Sequence, residues 1–163
     1  MIETLLHIEQ QIPLLLQDRS GWNSLLIDYE KPLVERLWIP YGKYRLYLHY
    51  IHPCSIDESL YHPHPSPSAM KIVQGSYLHQ IGFGAGSTPP PVTQTILMTT
   101  GSSYEMTHPD NWHAIAPIET VLSIMIVGKP WNRWSPKAPY QLKPLSLARQ
   151  EQLENIWGKK YPK

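Results

Sequence analysis

Two histidines one residue apart, His62 and His64, are the side chains of this sequence best suited to chemistry. On a β-strand, residues i and i+2 point to the same side, so the pair would aim two imidazoles at one point. That is the beginning of a metal-ligand set, and it needs a third ligand from elsewhere in the chain. The bland alternative is a pair of structural histidines in a proline-rich loop, since Pro63 and Pro65 flank His64 and remove backbone donors. The stretch from Tyr61 continues through an apolar segment, Ala69 to Val73, and stops at Gly75. Upstream, Arg45, Tyr47 and His49 alternate along a Tyr-rich segment and share one face. On an interior face, Arg45 would anchor a substrate carboxylate or phosphate and Tyr47 would add a hydroxyl. On an outer face, they would be ordinary surface residues.

These side chains need elements to position them. Residues 2–17 carry apolar residues at helical spacing, interrupted by Pro13, and predict a short helix that kinks or restarts. Residues 22–37 (Trp22, Leu25, Leu26, Tyr29, Leu33, Val34, Leu37) predict a second amphipathic stretch with Pro32 inside it, so 1–37 reads as a helical cap. From Trp38 the period changes to two. Strands are expected over 43–52, 76–84, 92–100, 104–106, 112–117 and 120–128, with a proline-rich loop at 84–91. After Gly128 an aromatic, proline-bearing tail should lie across a surface. Ser146 is a plausible N-cap for a helix over 146–157. The organisation expected is a single domain: cap 1–37, barrel 38–128 and C-terminal extension 129–163. Short strands at this spacing suggest a sandwich or barrel.

Composition agrees with a β-rich chain. Seventeen prolines in 163 residues argue against a helical bundle, and ten Tyr and six Trp against one Phe favour half-buried aromatics in sheets and pockets. A net charge of +1 with no basic run argues against a nucleic-acid partner. No apolar run is long enough for a transmembrane helix. The first residues lack the pattern of a signal peptide, and Cys54 is the only cysteine, so a reducing cytoplasm is the location expected.

With the elements in place, the residues resemble the cupin superfamily (RmlC-like). Its first motif reads G-x5-H-x-H-x3,4-E-x6-G. Here His62-x-His64, three residues, Ser68, six residues and Gly75 fit that spacing, with Ile56 at the leading glycine and Ser68 at the metal-binding glutamate. Its second motif reads G-x5-P-x-G-x2-H-x3-N. Here Gly101 is followed, after one extra residue, by His113, with Pro117 where the asparagine would be. The segment Lys71-Ile72-Val73-Gln74-Gly75-Ser76 is similar to the one after the paired histidines in thiol dioxygenases of the cysteine dioxygenase type, which bind iron with three histidines. Their Ser-x-His-x-Tyr pattern is absent, since the corresponding strand reads Ser123-Ile124-Met125-Ile126-Val127.

The resemblance implies a mainly β fold: a double-stranded β-helix, or jelly-roll cupin barrel, with a helical N-terminal cap and a C-terminal helix. It implies metal ligation by His62, His64 and His113, with His108 as an alternative third ligand, and a divalent transition metal: Fe(II), or Zn, Ni or Mn. Glu105 and His79 are candidates for acid–base or supporting roles, and Arg45 and Tyr47 for substrate binding. The function implied is a non-haem Fe(II) dioxygenase-like oxidoreductase acting on a small anionic substrate. A non-catalytic, small-molecule-binding or regulatory cupin and a metal-dependent lyase or isomerase are the alternatives. Cupins often pair, so a homodimer is compatible with this reading.

Overall fold

The structure is a computed structural model, described over residues 1–162. It opens with two short helices, α1 (Ile2–Glu9) and α2 (Ile12–Leu15), with Pro13 in the first turn of α2. That position suits proline, because the first N–H groups of a helix have no intrahelical acceptor. A 3-10 turn (Arg19–Gly21) follows, closed by the Asp18 carboxylate accepting from the Ser20 N–H at 3.1 Å. Ten strands come next: β1 (Asn23–Ile27), β2 (Val34–Tyr41), β3 (Tyr44–Ile51), β4 (His62–Pro63), β5 (Ser68–Gln74), β6 (Ser76–Phe83), β7 (Gln94–Thr99), β8 (Ser103–Met106), β9 (Asn111–Pro117) and β10 (Val121–Val127). The chain closes with α3 (Leu147–Lys160), whose N-cap Ser146 accepts from the Arg149 N–H.

The strands form two antiparallel sheets, one of six in the order β1-β2-β3-β10-β5-β8 and one of four in the order β4-β9-β6-β7. The inner faces meet around Tyr47, Ile51, Met70 and Met125 from the larger sheet and Tyr77 and Met98 from the smaller. The outer face of the six-stranded sheet carries Leu37, Ile39, Leu46, Leu48, Ile124 and Ile126, packed under Leu5 and Ile8 of α1 and Leu153 and Trp157 of α3. Period-2 alternation in β3 and β10 therefore feeds two cores at once, which is why β10 is buried along almost its whole length. This is the mainly β barrel with a helix at each end that the sequence led one to expect.

The helical reading of 22–37 is corrected. Within the expected cap, α-helix is confined to residues 2–15, and residues 23–41 form the hairpin β1–β2, with Ile27 opposite Val34 and Asn23 opposite Trp38. From Val34 onwards, Leu37 and Ile39 join the outer core while Val34, Arg36 and Trp38 line the interior. The period is two, and the cluster at Trp22, Leu25 and Leu26 imitated a helical face only by spanning a strand and its lead-in.

Two glycines fix how the sheets meet. Gly75, between β5 and β6, has φ +89°, and a Cβ there would stand 2.6 Å from the Thr120 carbonyl oxygen. Gly82 lets β6 pass against Tyr61, whose hydroxyl occupies the space a side chain would need.

Candidate metal centre and its cavity

The short strand β4 exists because His62 and Pro63 pair with His113 and Trp112 of β9. Pro63 and Pro65 end the pairing at once. The register places His62 directly opposite His113, with ring centroids 4.8 Å apart; His64 lies 5.6 Å from His113 and 6.5 Å from His62. All three rings line one cavity of about 720 Å³ between the sheets, a size ordinary for small-molecule sites.

Each ring has its Nδ1 engaged. The Nδ1 of His62 donates to the Leu60 carbonyl at 3.1 Å, and that of His64 to the Ser66 carbonyl at 2.6 Å. The Nδ1 of His113 meets the Nε2 of His79 at 3.3 Å. A carbonyl partner fixes the tautomer, leaving Nε2 as the lone-pair nitrogen of His62 and His64. Burial holds all of these rings neutral: it lowers the pKa of His62, brings His64 down to about 4, and takes His113 well below the ordinary histidine value. Neutral imidazoles with oriented Nε2 atoms are the donor set for a borderline divalent ion such as Fe(II) or Zn(II).

The rings have not closed on a common point. Among the described residues, no three His, Cys, Asp or Glu side chains stand together as a ready-made ligand set. An imidazole bound at about 2.1 Å has its centroid about 3.2 Å from the ion, so two rings on one ion sit no more than about 6.4 Å apart. Two of the three separations are inside that limit, and the His62–His64 pair, at 6.5 Å, is just beyond it. The donors fit a metal, and closing on it needs one ring to turn inward.

His79 faces the interior from β6 but stands behind His113 rather than on the cavity wall. Its ring lies 4.2 Å from that of Tyr104, and its pKa is lowered to about 4 by burial. It can orient His113, but it does not reach a bound molecule. Glu105 is a correction. It sits on β8 opposite Ala69, whose side chain belongs to the outer core, so strand parity points it away from the cavity. Its carboxylate accepts from the Ile2 N–H at 2.9 Å and pairs with the Met1 amino group at 2.8 Å, anchoring α1. His108 is exposed in the turn before β9, where its Nδ1 accepts from the Asp110 N–H, and it is not on the cavity wall. Ser68 is buried on β5.

Arg45 and Tyr47 do face the cavity. Arg45 lies at its rim with the guanidinium over Trp38, 4.9 Å from the ring centroid. Tyr47 is deeper and stacks on His49, 5.7 Å between centroids. Beside them stand residues that the sequence reading did not assign. Arg36 of β2 lies directly across from His49 of β3, which lies across from Ser123 of β10. Arg36 is mostly buried with its guanidinium 4.9 Å from the Tyr47 ring centroid. Burial, and behind it the charges of Arg36 and His64, hold His49 neutral. Arg36 was hidden because its alternation with Val34 and Trp38 straddles the boundary at which the helical reading ended.

No protein-family profile matches the chain, and no curated protein matches it in sequence. Solved structures do resemble it in shape. The hydroxypropylphosphonic acid epoxidase from S. wedmorenis superposes with a TM-score of 0.51 at 12% identity over 68% of this chain. The chain spans 56% of that protein's length. The plu4264 protein from Photorhabdus luminescens gives 0.45 at 13% identity, covering 63% of this chain and 80% of that one. The HEPD of Streptomyces albus, solved with 2-hydroxyethylphosphonate and Fe(II) bound, gives 0.45 at 7% identity, covering 60% of this chain and 21% of that one. The fold is cupin-like. In this cupin-like barrel the histidine cluster occupies the inside of the smaller sheet, and the Arg36–His49–Ser123 row the inside of the larger one.

Proposed function

We propose that the chain is a metal-dependent oxidoreductase of the non-haem Fe(II) type, acting on a small anionic substrate in the inter-sheet cavity. The observation that carries this reading is the set of three buried, neutral histidines whose Nδ1 atoms are tied down and whose rings line one cavity. His62, His64 and His113 would hold the ion, and iron bound there supplies one-electron and O₂ chemistry. Three neutral ligands leave the ion its full double charge, which favours an anionic substrate. The protein's own contribution is to orient. The Leu60 and Ser66 carbonyls set two tautomers, and His79 holds the third ring in place. Trp38, Ile51, Met70, Met125 and Ile115 give the site apolar walls.

A second reading, a barrel that binds a small molecule without turnover, is favoured by the open spacing of the rings. A lyase or isomerase loses its candidate base, because Glu105 lies outside the cavity and His79 is screened by His113. Elemental analysis of native protein decides between the first two. We expect stoichiometric iron, lost in His62→Ala and His113→Ala, and stabilisation of the wild type by added Fe(II) under argon. At a hundredfold excess over Kd that stabilisation is about 2.7 kcal/mol. Native protein without a transition metal, and unmoved in Tm by Fe(II) or Zn(II), would leave only the non-catalytic reading.

A further inference from the structure

The inner side of the larger sheet, across from the histidines, carries a concentration of unsatisfied polar groups. Among the described residues, Arg36 Nε, both ring nitrogens of His49 and the Ser123 hydroxyl are buried without a hydrogen-bond partner. His49 is 4% exposed and Ser123 fully buried. The three lie in one cross-strand row, since Arg36 pairs in register with His49 and His49 with Ser123. A buried polar atom left unpaired costs about 1–3 kcal/mol. Several in one row, one of them on a permanently charged guanidinium, form a feature that stability alone does not explain.

From this row we infer the substrate class: a small carboxylic acid with an apolar body, its carboxylate held by Arg36 and His49 beside His64. Three observations converge on it. The Tyr47 ring covers one face of the Arg36 guanidinium. Arg36 lines the cavity, and the planar N–H edge of a guanidinium matches a carboxylate in two parallel hydrogen bonds. The row carries one fixed positive charge, because His49 is held neutral and Ser123 is uncharged. A monoanionic carboxylate is neutralised by this one charge in the metal-free chain, whereas a dianionic phosphonate needs a second cation, and the lysines and Arg45 that also line the cavity stand exposed at its rim. Trp38, Ile51, Met70 and Met125 make the neighbouring stretch of wall apolar and aromatic, so the part of the molecule that lies against them is apolar. Among the described residues the one acidic residue lining the cavity is Glu30, which is exposed and so does not compete for Arg36 from within.

This replaces Arg45 as the anchor. Arg45 stands four residues from His49 on β3, about 13 Å along the strand, and its guanidinium is already stacked on Trp38 at the rim. The inference rests on the proposed function for the word substrate; the binding it describes needs no metal.

The test is isothermal titration of full-length protein freed of metal by chelation, with 3-phenylpropanoate, 3-phenylpropan-1-ol and 2-phenylethylphosphonate as matched probes. We expect the carboxylate to bind at least tenfold more tightly than the alcohol and more tightly than the phosphonate. Arg36→Met and His49→Leu should each weaken it at least tenfold, with Arg36→Lys recovering part of the loss. Circular dichroism verifies the fold of each variant, and His49→Leu decides the matter if Arg36→Met does not fold. Binding of the alcohol as tightly as the acid, tighter binding of the phosphonate, an unchanged affinity in folded variants, or no binding of the carboxylate would each overturn the assignment; the last would mean that water alone fills the row. Elemental analysis runs separately. Carboxylate binding in a chain that natively holds no metal would remove the oxidoreductase and keep the anchor, and a metal-loaded chain indifferent to carboxylates would do the reverse.

Discussion

The two faces of β2 and β3 use the same kinds of residue and treat them in opposite ways. On the outer face, the Glu35 carboxylate accepts from Arg149 Nε at 2.8 Å and from its terminal nitrogen at 2.6 Å, and meets His52 Nε2 at 3.1 Å. The Arg149 guanidinium also lies 5.0 Å from the Tyr50 ring centroid. On the inner face, one residue along the same strand, Arg36 has its own aromatic platform in Tyr47 and no carboxylate. Both faces pair an arginine with a tyrosine ring, and both include a histidine. The outer set is complete and ties α3 to the sheet. The inner set lacks only its anion. That contrast separates charge used to hold the fold together from charge held ready for a ligand.

Mutating the two neighbours breaks the comparison most directly. Glu35→Ala removes the acceptor of a bidentate, charge-assisted pair and strands Arg149 partly buried. We expect a loss of about 1.5–3 kcal/mol in urea denaturation, with carboxylate binding in the cavity retained. Arg36→Met removes a buried charge that has no partner. We expect stability unchanged or raised by about 1 kcal/mol, with binding lost. Equal destabilisation by both variants would mean that Arg36 is as satisfied as Glu35, and the distinction between the faces would fail.

A smaller effect follows from pH. Hydrogen bonds from Arg149, above all, hold the Glu35 carboxyl below its ordinary value of 4.5, against the opposing pull of burial. A carboxyl whose folded pKa is depressed adds stability that is present above its unfolded pKa and is lost as pH falls through the folded one. The difference in unfolding free energy between wild type and Glu35→Gln should therefore be constant above about pH 5 and shrink as pH drops below 4.5. A difference that stays flat through that window would show that Glu35 titrates as it does in the unfolded chain, and that the outer ion pair contributes little.

How much of this was legible in the sequence follows the same division. β3, β6, β7 and β10 fell within their expected windows and β8 and β9 began one residue early, and the period of two is strongest in β3 and β10, which alternate between two cores. The helix at 147–160 was visible through Ser146. The paired histidines and His113 were legible because spacing along one strand and a recurring motif are one-dimensional signals, and the structure brings all three to one cavity. Glu105 misled because its acidity suggested chemistry, while its direction is set by pairing with Ala69 on a strand far away in sequence. Of the Arg36–His49–Ser123 row, only the face of His49, shared with Arg45 and Tyr47, was legible. The row exists only across three strands, and β10 reaches β3 from more than seventy residues further along the chain. One of its members also lay in a segment whose short apolar spacing passed for a helix.

The mildest test sharpens the inner face itself. Tyr47 adds no formal charge; it offers Arg36 a ring 4.9 Å from the guanidinium carbon. If its role is to fix the plane in which Arg36 presents its N–H edge, the ring matters and the hydroxyl does not. Tyr47→Phe should leave binding of 3-phenylpropanoate within a factor of two, whereas Tyr47→Leu should weaken it by about 0.5–1 kcal/mol, a few-fold in Kd, as expected for a partly shielded cation–π contact. A large loss in Tyr47→Phe would instead place the hydroxyl on the ligand. In that case the anchor would be Arg36 and Tyr47, with His49, stacked behind Tyr47 at 5.7 Å, reduced to packing.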